Sequence, residues 1–137
     1  MNRDIKINYN DKVYNTLSRF ISYFHQIDLI RKYKPNSVLE IGIGSKIVSQ
    51  HIQNINIKIT TCDINKELSP DIVADVRDLN LQDNSFDMVC ACEILEHIPF
   101  ADFEKTIQKL KNISKEYILI SLPYPSIAFD FVIKIPS

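Results

Sequence analysis

The chain has only two glycines, and both fall in one run, Val38-Leu39-Glu40-Ile41-Gly42-Ile43-Gly44-Ser45-Lys46. Turns elsewhere must use Asn, Asp, Ser and Pro, so Gly42 and Gly44 mark a backbone geometry that other residues do not supply. The four apolar-rich residues before them read as a short buried strand, and Ser45 as the cap of a helix that starts there. Asp63 follows Gly42 by 21 positions, at the end of the next strand-like run. That spacing suits a strand–loop–helix–strand unit in which the loop approaches a ligand and the carboxylate accepts hydrogen bonds from ribose hydroxyls.

Two residues decide between nucleotide ligands. A dinucleotide loop of the G-x-G-x-x-G type needs a third glycine where this chain has Ile47. Glu40 would sit near the dinucleotide's phosphates, and two like charges about 6 Å apart at an effective dielectric near 20 repel by roughly 3 kcal/mol. A nicotinamide cofactor is therefore disfavoured. S-adenosylmethionine carries a sulfonium and an ammonium and no phosphate, so an acid before the glycines suits it.

At this point the chain resembles a known family. Val38–Gly44 is similar to the first motif of class I S-adenosylmethionine-dependent methyltransferases, Asp63 to their ribose-binding acid, and Ala74-Asp75-Val76-Arg77-Asp78-Leu79 to their adenine-binding segment. The run from Asp83 to Ile98 resembles the strand and helix flanking their methyl-transfer pocket. The family's third loop glycine is Lys46 here. The resemblance implies cofactor contacts at Glu40, Gly42, Ile43 and Gly44, at Asp63 and Ile64, at Asp75 and Val76, and at Cys92. Asp75 would accept from the adenine amino group and the Val76 amide would donate to a ring nitrogen. Methyl transfer needs no obligatory base; if one is used, His97 of the Glu96-His97 pair is the candidate, against the plainer reading of a pair that starts a helix. The implied activity is methyl transfer from S-adenosylmethionine to a small-molecule acceptor. The alternative is a truncated or degenerate module that binds the cofactor, or a partner, without transferring the methyl.

The elements that must position these residues follow from periodicity. Asp11 to Tyr33 reads as an amphipathic helix whose apolar stripe, Val13, Leu17, Phe20, Ile21, Phe24, Ile27 and Ile30, faces the sheet. Tyr9, Tyr14 or His25 could reach the ligand from it, though core aromatics and a surface histidine are the ordinary alternatives. Strands are expected at Ser37–Ile41, Lys58–Asp63, Ile72–Asp75, Phe86–Cys92 and Tyr117–Leu122. Helices are expected at Ser45–Gln53 and, with Phe103, Ile107 and Leu110 buried, at Phe100–Ile113. The alternation implies an α/β, Rossmann-like doubly wound parallel sheet in the order 3-2-1-4-5, with the ligand where the strand order reverses.

The 137 residues fit a single domain, ending in a Pro-containing tail over 123–137. That tail is too short for the helix and antiparallel strand pair with which the family normally ends, so most of the C-terminal β-hairpin is missing; Phe129–Ile135 can supply one strand. The edge of the fifth strand then needs the tail, a second subunit or further chain to cover it. A formal net charge of −1 gives nucleic-acid binding no support. No run is apolar enough to span a bilayer, and a cytoplasmic location is expected. Cys62, Cys90 and Cys92 lie in apolar runs, as reduced thiols would, and with His97 they lack a fourth ligand, so no metal is expected.

Overall fold

The computed structural model describes residue 9, residue 12, residues 14–123 and residues 129–135, the side chains of Phe129 and Asp130 excepted. Its elements are α1 (Leu17–Tyr33), β1 (Ser37–Ile41), α2 (Ile47–Asn54), β2 (Lys58–Asp63), β3 (Ile72–Val73), β4 (Phe86–Cys92), α3 (Phe100–Ile113), β5 (Ser114–Leu122) and β6 (Phe129–Lys134). One sheet runs in the order β3-β2-β1-β4-β5-β6. All neighbours are parallel except β5 and β6, which are antiparallel. This is the Rossmann-like topology expected, with an added strand on the edge of β5.

The central strands are buried on both faces because helices cover both, so they read as continuous apolar runs. Val38, Met88, Cys90 and Leu119 pack under α1 and α2, against Ile30, Val48 and Ile52. Leu39, Ile41, Val89, Ala91, Ile118 and Ile120 face the other way, toward Leu110 and Ile113 of α3. Phe103, assigned to the buried stripe of that helix, is exposed; Thr106 takes the inner place, its hydroxyl donating to the Asp102 carbonyl at 2.8 Å.

The largest departure is in α1. It begins at Leu17 behind a Thr16 cap, whose hydroxyl accepts from the Arg19 N–H at 3.4 Å; Asp11 and Val13 lie outside the described residues. Leu17, Phe20, Ile21 and Phe24, assigned to the inner stripe, point outward and are exposed. Ile30 of the expected stripe is buried and Ile27 packs beside it, but Ser22 and Gln26 take the other inner places. Smaller corrections follow from hydrogen bonding. β3 stops at Val73, a 3-10 turn occupies Lys66–Leu68, and β5 starts at Ser114 because it pairs there with Phe86.

The ends of the strands opposite the glycine loop are clamped by Asp87. Its Oδ2 accepts from the Asn36 and Ser37 N–H groups at 2.9 and 3.1 Å, and its Oδ1 accepts from Lys115 Nζ at 3.0 Å. Burial pushes this carboxyl up, but the Lys115 ammonium and the two N–H groups outweigh it and hold it below the usual carboxylate range. Among the described residues no helix is long and apolar enough to cross a membrane.

Asp87→Ala should lower stability by about 2–3 kcal/mol at pH 7, because donors are left unpaired at the junction of β1, β4 and β5. A depressed carboxyl stabilises above its unfolded pKa and loses that contribution as pH falls through the folded one, so the gap to wild type should close in acid. Urea denaturation at neutral and acid pH measures both.

Candidate functional site

The carboxyl ends of β1 and β4 lie side by side where the strand order reverses, the position at which open α/β sheets bind ligands. A cavity of about 670 Å³ opens there. Its floor is the loop after β1. Gly42 and Gly44 have φ of +78° and +45°, and Lys46, at +63°, carries the left-handed conformation where the family has its third glycine. A Cβ on Gly42 would also run into the side chain of Ile94, and one on Gly44 would come within 3.1 Å of the Tyr14 hydroxyl. The space that Gly42 keeps open is therefore taken by Ile94 of the loop after β4. Ser45 does not cap α2: that helix begins at Ile47 behind Lys46 with no side-chain cap, and the Ser45 hydroxyl donates to Tyr23 at 3.2 Å.

Asp63 fixes the loop. Its Oδ2 accepts from the Ile43 N–H at 2.9 Å and its Oδ1 from the Asn65 N–H at 2.8 Å. Each oxygen keeps a further lone pair toward the cavity wall it forms. Exposed Ile64 follows it.

Glu40 sits deeper, on the face of β1 covered by α2, and is 8% exposed. Burial pushes its carboxyl up to about 8, the Ser49 hydroxyl opposes that, and the charge of Asp63 adds to it. Its Oε2 has no hydrogen-bond partner among the described residues. An orphaned oxygen on a buried acid is costly unless a ligand meets it.

Asp75 and Val76 reach the cavity from a turn rather than a strand. The Asp75 carboxylate is already committed: Arg77 donates to it from Nε at 3.0 Å, from Nη2 at 2.6 Å and from its own N–H at 2.8 Å, and these bonds hold the acid low. The expected role as acceptor for an adenine amino group therefore competes with a salt bridge to the residue two places on. Cys92 and His97 line the cavity from the end of β4 and the 3-10 turn at Leu95–His97. His97 Nε2 lies 3.7 Å from Glu96 Oε1, and the two side chains are 74% and 25% exposed. Glu96, whose carboxyl burial pushes up, is thus the more enclosed of the pair. All ten positions singled out in the sequence come together at this cavity. His25 does not; it lies exposed beside Phe24.

The cavity's remaining wall comes from the N-terminal side. Tyr9 and Tyr14 pack edge to face with centroids 4.8 Å apart, and the Arg19 guanidinium lies 4.0 Å over the Tyr14 ring. Arg19 Nη1 donates to Glu93 Oε2 at 2.8 Å and to the Tyr14 hydroxyl at 3.1 Å. Ser22 donates to the other Glu93 oxygen at 3.3 Å, and Gln26 donates to Ser22 at 3.0 Å. Burial pushes the Tyr14 phenol up to about 12. Glu93 itself has φ of +53°, a strained conformation of the kind that surrounding contacts must hold. Arg19 and Glu93 went unassigned in the sequence: 74 residues separate them, and no local signal joins them. Among the described residues no group of His, Cys, Asp and Glu is arranged to hold a metal ion.

Residues 39–119 match the family described as a methyltransferase domain. The chain belongs to that family. No curated protein matches this chain significantly in sequence. Among solved structures it resembles the N-methyltransferase NodS from Bradyrhizobium japonicum WM9, in complex with S-adenosyl-L-homocysteine, with a TM-score of 0.70 and 10% identity over 85% of this chain and 67% of that one. The PH0226 protein from Pyrococcus horikoshii OT3 matches with a TM-score of 0.64 and 17% identity over 84% of this chain and 60% of that one. The 1,6-didemethyltoxoflavin-N1-methyltransferase of Burkholderia thailandensis, with bound 1,6-didemethyltoxoflavin and S-adenosylhomocysteine, matches with a TM-score of 0.59 and 14% identity, over 76% and 59%. The chain thus spans about three fifths to two thirds of the length of these structures. They share the class I methyltransferase fold with it.

Glu40 binds its proton more tightly folded than unfolded, so its contribution to the methyltransferase domain's stability is complete below about pH 4.5 and fades as pH climbs toward about 8. Urea denaturation of wild type and Glu40→Gln should show the difference in stability moving against the wild type over that range, by on the order of 4 kcal/mol. A constant difference would remove Glu40 as a buried, neutral acid.

Proposed function

We propose that this methyltransferase domain binds S-adenosylmethionine and transfers the methyl group to a small-molecule acceptor. The observation that carries the reading is the Glu40 carboxyl, buried at the glycine loop with one oxygen unpartnered among the described residues. A ligand cation there would favour its charged form and be met by it, whereas a phosphate would not. The residues present fit the cofactor: the backbone of Gly42, Ile43 and Gly44 would face its methionine part, Asp63 would accept from its ribose hydroxyls, and Ile64, Val76 and Cys92 would line the adenosyl path. When bound, S-adenosylmethionine supplies a methyl group already activated on a sulfonium. The chain's own part is then positioning and enclosure. Tyr9 and Tyr14 shield the glycine loop from water. At the mouth, the Glu96-His97 pair takes up the proton an acceptor hydroxyl or amine must lose, His97 passing it to solvent. The thiols of Cys62 and Cys90, buried and outside any disulfide, fit work in the reducing cytoplasm.

Calorimetric titration with S-adenosylhomocysteine, S-adenosylmethionine and NAD tests the cofactor. Both adenosyl ligands should bind and NAD should not; a folded protein that binds none overturns the reading. Asp63→Ala should weaken S-adenosylhomocysteine about ten- to hundredfold, since it removes the ribose acceptor and also frees the Ile43 and Asn65 N–H groups that hold the loop. Binding with no methyl transfer to any screened amine, hydroxyl or thiol would leave the module without transfer activity as the better account.

A further inference from the structure

The sheet has two edges of different character. At one end β3 is two residues long and presents little unpaired backbone. At the other, β6 runs six residues, from Phe129 to Lys134, with no proline and with an unbroken register against β5. Its outer row of N–H and C=O groups faces no strand among the described residues.

The apolar covering also ends one strand short there. Ile118 and Ile120 of β5 pair with Ile133 and Phe131 of β6, so the four lie on one face, the face that α3 covers. The β5 pair is 2% and 8% exposed, whereas Ile133 and Phe131 are 49% and 53% exposed. Val132, on the opposite face, is packed against the core under α1. A long, regular edge with half-open apolar residues is a template for adding a strand.

The strand that fits is β6 itself. An antiparallel pairing with Val132 on a two-fold axis sets Phe131 of each copy against the partner's Ile133, and brings the aspartate of position 130 into register with the partner's Lys134. Apolar meets apolar and acid meets base at every off-axis position of that core. We propose that two copies of the chain associate through β6, so that one sheet runs continuously through both. The contact is isologous and uses up the long edge of each copy, leaving only the two-residue β3 edges outside, so assembly stops at two. The second subunit anticipated at the fifth strand thus moves one strand outward, because β6 already covers β5.

Light scattering and a cross-link test this in the full chain. Wild type should have twice the chain mass. Phe131→Lys and Ile133→Lys should be monomeric while keeping the wild-type circular dichroism spectrum. Phe24→Lys, on the exposed outer face of α1, should remain dimeric. Val132→Cys should form a disulfide-linked dimer under mild oxidation where wild type does not, because residues opposite each other in an antiparallel pair bring their Cα atoms within about 4.5–5.5 Å. A monomeric wild type, a dimer that survives both β6 lysines, a dimer lost only in Phe24→Lys, or a Val132→Cys chain that does not cross-link would each overturn the proposal. The cross-link decides the matter if the lysine variants do not fold.

Discussion

The site depends on one carboxylate. Asp63 joins the loop after β1, 20 residues before it, to the turn that follows it after β2, through the Ile43 and Asn65 N–H groups. With the Gly42 N–H bonded to the Cys62 carbonyl at 2.8 Å, two successive backbone donors tie the loop to the end of β2, and the Asn65 N–H fixes the acid that receives one of them. That placement forces φ at Gly42 to +78° and brings Ile94 against it from the next strand over. The Lys46 N–H then bonds the Ile43 carbonyl at 2.7 Å, which closes the turn and starts α2. The cavity floor, the first turn of α2 and the loop after β4 are all set by where this acid sits.

The same logic explains the orientation of α1. Its inward face carries Ser22 and Gln26 because the wall it packs against is polar: Glu93 and Ser121 must be hydrogen-bonded once covered, and Ser22, Gln26 and Arg19 bond them. An apolar stripe turned inward would leave the Glu93 carboxylate without donors, at a cost several times what burying one more leucine returns. Leu17, Phe20, Ile21 and Phe24 therefore face outward, while Ile30 further along still packs inward. Tertiary hydrogen bonding has overridden helical periodicity.

That override marks the limit of what the sequence discloses. β1 and β4 were legible to the residue because strands buried on both faces are mostly apolar, β2 because its β-branched Ile59-Thr60-Thr61 run leads to Asp63 at the spacing the glycine loop sets, and α3 because Pro99 opens it. The glycine loop was legible because both of the chain's glycines fall in it, and at Gly42 a positive φ coincides with a close approach by Ile94 that leaves no room for a Cβ. The start of β5 at Ser114-Lys115-Glu116 was not, since those polar residues join the sheet through pairing with Phe86 rather than through any pattern of their own. In the site, the residues that bear chemistry could be named from type and spacing, but not their partners. Arg77 on Asp75 is local and was open to notice; Arg19 on Glu93 and Ile94 on Gly42 arise only when distant loops meet.

Glu40 and Asp63 show why those partners matter more than the acids themselves. Both lie toward the carboxyl ends of adjacent parallel strands and both are almost fully buried, yet two backbone amides meet Asp63 whereas Glu40 has the Ser49 hydroxyl and one oxygen with no partner among the described residues. A stable fold gains nothing from an unpaired oxygen in the middle of its sheet; an apolar residue on β1 would pack there without loss. Such a residue would also remove the one group on this strand able to answer a positive charge at the glycine loop. Under the proposed reading, the oxygen that costs stability is the one that would answer a cationic ligand, the arrangement expected where stability is surrendered to binding.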